Sequence, residues 1–69
     1  MRDRMLKALK LKYEGQIAEA DANIHIYLRN PAGIGEHSEI LAEVDKQIEI
    51  AATAQEKLDY LEKIGFWYA

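Results

Sequence analysis

Apolar side chains recur every three or four residues along both halves of the chain. In the first half Leu6, Leu9, Tyr13, Ile17, Ala20 and Ile24 lead on to Tyr27 and Leu28, which is one face of an α-helix. Ala8, Leu11, Ala18, Ala22 and Ile26 lie off this line and make the face wider than one partner helix covers. Gly15 falls between face positions and costs about 1 kcal/mol relative to alanine, too little to interrupt the helix. In the second half the line runs through Leu41, Val44, Ile48, Ala51, Gln55 and Leu58 to Leu61 and Ile64. A flanking row of Ile40, Ile50, Ala54 and Leu61 broadens it.

Between the two patterns lies Asn30-Pro31-Ala32-Gly33-Ile34-Gly35, with the only proline and two of the four glycines. Pro31 disfavours α geometry at Asn30 and cannot donate a hydrogen bond to a continuing helix. Asn30 tolerates the left-handed geometry of a helix end, and Arg29 suits the negative pole of the dipole. The second helix is expected to start between Gly35 and Ser38, with Ser38 as N-cap and Glu36 and Glu39 favoured by the dipole. Gly65 reads as the glycine that stops it, with Phe66 supplying the accompanying apolar contact. The pattern thus predicts an all-α fold, an antiparallel two-helix hairpin in one domain over residues 1–69. Its parts are a helix over about 3–30, a turn at 31–35, a helix over about 36–64 and an aromatic tail at 65–69.

Equal rise on both helices makes facing residues sum to about 66 in such a hairpin. Ile24 then falls opposite Val44, Ile17 near Ala51, Leu9 near Leu58 and Leu6 near Leu61. Large residues oppose small ones in the middle, with Ala20 against Ile48 and Tyr13 against Ala51 and Ala54, as a dense core requires. Leu41 and Ile48 are expected in that core. The same register sets Lys7 near Asp59, Arg4 near Glu62, and Lys10 and Lys12 near Glu56. Such exposed pairs contribute only about 0–1 kcal/mol each but mark orientation.

Size then changes the picture. A chain of 69 residues buries only about 60% of its unfolded surface, so its own core leaves it marginal. With no cysteine, neither disulfides nor thiolate metal sites can make up the difference. Self-association can, and a dimeric four-helix bundle or coiled coil is the first arrangement expected, with higher order as the extension. An apolar fraction of 49% against 30% charged residues fits a folded chain. No apolar run approaches the ~20 residues of a membrane helix, and the charged start lacks the apolar stretch of a signal peptide. A soluble cytoplasmic protein with no membrane partner is therefore expected.

Candidate chemistry is sparse. His37 with Glu36 and Glu39 has the ligand types of a divalent-cation site, but no second ligand pair stands at metal spacing, so no metal and no cofactor are expected. His25, between Ile24 and Ile26, reads as a surface histidine. Gly33-Ile34-Gly35 lacks the Gly-Lys-Ser/Thr of a phosphate loop, and Glu36 would repel phosphate; turn geometry explains these glycines better. No nucleophile stands beside a base and a hairpin has no cleft, so an enzyme is not expected. The charge of −3 is uneven: Arg2, Arg4, Lys7, Lys10 and Lys12 face only Asp3 within residues 2–12. An oligomeric nucleic-acid-associated regulator using that segment is the alternative function, disfavoured by the acidic whole and by the pairing above.

Phe66, Trp67 and Tyr68 are large groups of the kind enriched in interfaces. They either plug the open end of the hairpin against Met1, Met5 and Leu9 or contact another chain. With Ile40, Ile50 and Ile26 they form the expected interface set, and Glu36 with His37 forms a candidate recognition spot at the turn. The expected role is that of a small non-enzymatic helical protein acting through self-association and contact with an unidentified protein partner.

Asn30-Pro31 and Gly33-Ile34-Gly35-Glu36-His37, between Tyr27-Leu28 and Glu43-Val44-Asp45-Lys46, resemble a group of short helical-hairpin proteins of tailed phages infecting marine bacteria. The resemblance spans most of the chain but is anchored by about eight residues. It implies a phage-encoded protein working in the host cytoplasm, in assembly or host takeover. No activity and no residue role come with it.

Overall fold

A computed structural model describes residues 2–29 and 37–67, the side chains of His37 and Ser38 excepted. Two helices pack side by side, α1 over Arg2–Arg29 and α2 over His37–Trp67, and no strand occurs among the described residues. The fold is an all-α helical hairpin of 49 × 15 × 13 Å. Arg29 lies in the last turn of α1 and Glu39 in the first turn of α2, each favoured by the helix dipole. The turn at 31–35 lies outside the described residues.

Cross-helix contacts fix the antiparallel register. Asn23 meets Gln47 and Tyr13 meets Lys57, so facing residues sum to about 70, slightly above the value expected from equal rise alone. On α1 the inward positions are mostly those of the expected stripe: Leu6, Tyr13, Ile17, Ala20, Ile24 and Tyr27 are buried or half-buried, joined by Gln16 and Asn23, whereas Leu9 and Leu28 are exposed. On α2 the inward line is only partly the one expected: Val44, Ala51, Leu58, Leu61 and Ile64 are half-buried, and the other three are not. Leu41 is 75% exposed and Ile48 51% exposed, and Gln55 is exposed as well. The helix instead turns Ile40, Gln47, Ala54 and Leu61 inward, flanked by Val44, Ala51 and Leu58. Three of those four inward residues belong to what hydropathy placed as a flanking row, and the fourth is polar. The rotation has a physical cause: Ala20 and Ala54 are each 1% exposed, and small residues at the seam let the helices approach closely.

Three further expectations need correction. The helix does not stop at Gly65 but runs through it to Trp67. Gly65 is half-buried and lines an open groove with Leu6 and Leu61, and an edge-to-face contact of Tyr60 with Trp67 at 6.0 Å bridges the turn that contains it. Ser38 lies inside α2, which begins at His37, so it is not the N-cap. The expected pairs of Lys7 with Asp59, Arg4 with Glu62, and Lys10 and Lys12 with Glu56 do not close to 4 Å among the described residues. Exposed pairs of that kind are too weak to set a helix rotation against apolar packing.

Candidate functional site

The seam between the helices carries one polar layer. Asn23 Nδ2 donates to Gln47 Oε1 at 3.2 Å, and Gln47 is 9% exposed. A buried amide without a partner costs about 1–3 kcal/mol, so this layer holds the two helices at one level. No buried side-chain polar atom among the described residues lacks a partner.

Two shallow grooves flank the seam. One is lined by Leu9, Tyr13, Lys57, Tyr60 and Ile64, with the Lys57 ammonium 5.5 Å from the Tyr13 ring centre. At that distance an ammonium over a ring is attracted by about 0.5–1 kcal/mol. The other groove is lined by Lys10, Glu14, Gln55, Leu58, Asp59 and Glu62. Both are open troughs between parallel cylinders, and neither encloses a space in which water would be excluded from a reacting group.

No charged side chain among the described residues is buried. His25 Nδ1–H donates to the Asp21 backbone oxygen at 2.9 Å, one helical turn away, which ties the ring to its own helix. Lys46 reaches Glu43 at 3.4 Å, and Gln55 Nε2 donates to Asp59 Oδ1 at 3.1 Å. Among the described residues no three His, Asp or Glu side chains converge as a metal site. Glu36 lies outside the described residues, and of His37 only its place at the start of α2 is described.

What the hairpin offers is exposed apolar surface. Phe66 is 82% exposed and Trp67 62% exposed; Trp67 rests on Tyr60 of its own helix, and Met5 is exposed too. Tyr68 lies outside the described residues. Of the other expected interface residues, Ile26 and Ile50 are exposed and Ile40 is half-buried under α1. Hydropathy missed Leu41 and Ile48 as exposed residues of α2 because it assigned them to the core. No described helix is long and apolar enough to cross a membrane. Comparison of the chain with protein-family models, with curated proteins and with solved structures finds no match.

Proposed function

We propose that this chain is a small non-enzymatic helical protein that acts through self-association and protein–protein contact, in a phage-type setting by the likeness at its turn. One observation carries the reading: among the described hydrophobic residues only Ala20 and Ala54 are buried, while Leu28, Leu41, Ile48, Phe66 and Trp67 stand more than half exposed. Large apolar side chains left in water on this scale mark interaction surfaces in small chains. Surface area supports it. The hairpin exposes 5622 Å², where a compact monomer of its length exposes about 4,400 Å². Its radius of gyration of 15.5 Å likewise exceeds the ~11 Å of a compact domain. Packing a second apolar face onto the hairpin removes this excess and supplies the core that two helices lack.

Sedimentation equilibrium of the full chain tests the reading. A mass of two or more chains at micromolar concentration is expected. A helical species with the mass of one chain would overturn it.

A further inference from the structure

The groove lined by Lys10, Glu14, Gln55, Leu58 and Glu62 marks one long flank of the hairpin. A step of seven residues returns a helix to nearly the same direction, drifting by only about 20°. This flank therefore continues toward the turn through Ile17, Asp21, Ile24 and Leu28 of α1 and through Ala51, Ile48, Val44 and Leu41 of α2. Its turn-side half is apolar apart from Asp21, to which His25 is tied at the rim. Its far half carries Lys7 and Lys10 on the outer turns of α1, with Glu14 one turn further in, and Asp59 and Glu62 on α2. Lys7, Lys10 and Glu62 close no ion pair within the hairpin among the described residues. The opposite flank, followed in the same way from Leu9, Tyr13 and Lys57, meets Gln16, Asn23 and Glu43 beside Tyr27 and Ile50, and is the more polar of the two.

We infer that the Ile24–Ile48 flank docks a second copy of this chain face to face, with the two-fold axis along the hairpin and both turns at the same end. The inference rests on the self-association proposed above and adds the face, the occupant and the orientation. Rotation about the long axis sets α1 of one chain against α2 of the other, antiparallel and at matching height. Facing residues then obey nearly the same sum as within the hairpin. Ile24 meets Val44 of the second copy, Ile17 meets Ala51, and Leu28 meets Leu41. At the far end Lys7 and Lys10 meet Asp59 and Glu62 of the second copy, so charge complementarity and apolar complementarity select the same orientation. With the turns at opposite ends, each apolar half would cover a charged half and leave lysines and carboxylates desolvated without partners. The area is adequate: a face of 49 by 15 Å is about 700 Å² in plan, near the ~800 Å² per partner of a standard stable interface.

Three variants of the full chain, studied by sedimentation equilibrium with circular dichroism, test the face. Ile48→Glu and, as a second probe, Leu41→Glu should weaken the dimer about a hundredfold or more, since each would bury a charge between the chains. Ile26→Glu, on the opposite flank, should leave it unchanged. A dimer that survives Ile48→Glu and Leu41→Glu but breaks on Ile26→Glu would overturn the chosen flank while leaving self-association standing. A wild-type monomer would overturn both. Orientation is read separately, because the chain has no cysteine of its own. Leu28→Cys chains mixed with Leu41→Cys chains should oxidise to the mixed disulfide faster than either oxidises with itself. Failure of that cross-link in a dimer would overturn the turn-to-turn arrangement, and this readout holds even where a glutamate variant unfolds on dissociating.

Discussion

Ala54 and Ala52 sit two residues apart on α2 in opposite surroundings, the first 1% exposed against α1 and the second open to water. Ala54→Leu should lower stability by about 1–3 kcal/mol through overpacking, while Ala52→Leu should stay within about 0.5 kcal/mol. Urea unfolding of the two variants checks the contrast, and equal effects would mean that α2 is rotated otherwise than described. The same scale shows what hydropathy could and could not reveal. Tyr13, Ala20 and Ile24 were legible as inward residues because α1 has one dominant apolar line. On α2 the centre of the seam holds Gln47, whose burial depends on Asn23 twenty-four positions away. A pattern of apolar residues cannot register a polar side chain satisfied from another helix, so the reading shifted by one residue onto Leu41 and Ile48.

The helices themselves follow from local physics more fully than their ends do. The end of α1 at Arg29, just before Asn30-Pro31, is where the proline dictates it. The far end of α2 is different, since Gly65 has the chemistry of a stop but lies within a continuing helix, where a Cβ would meet nothing within 4 Å. Gly15 shows the remaining conformational cost of such a residue. It lies mid-helix on the exposed face of α1, and a Cβ there would meet nothing within 4 Å. Gly15→Ala should therefore stabilise the protein by about 1 kcal/mol, read as a raised midpoint of thermal unfolding by circular dichroism. A lowered midpoint would show that this face is covered by another surface that needs the glycine.

At the scale of the whole molecule, the hairpin has more apolar surface than its own two helices can cover. Leu41 and Ile48 of α2 join Leu28, Phe66 and Trp67 in this excess, because hydropathy records which residues avoid water but not which chain covers them. Ile17, Ile24 and Leu28 with Leu41, Val44 and Ile48 give one flank an apolar half, and the unpaired charges of the far half give it a direction. Small-angle X-ray scattering of the full chain tests the resulting picture most directly, because it reads mass and length together. The mass of two chains is expected in a particle that keeps roughly the 49 Å length of one hairpin. The mass of one chain, or two chains in a particle nearly twice that length, would contradict it.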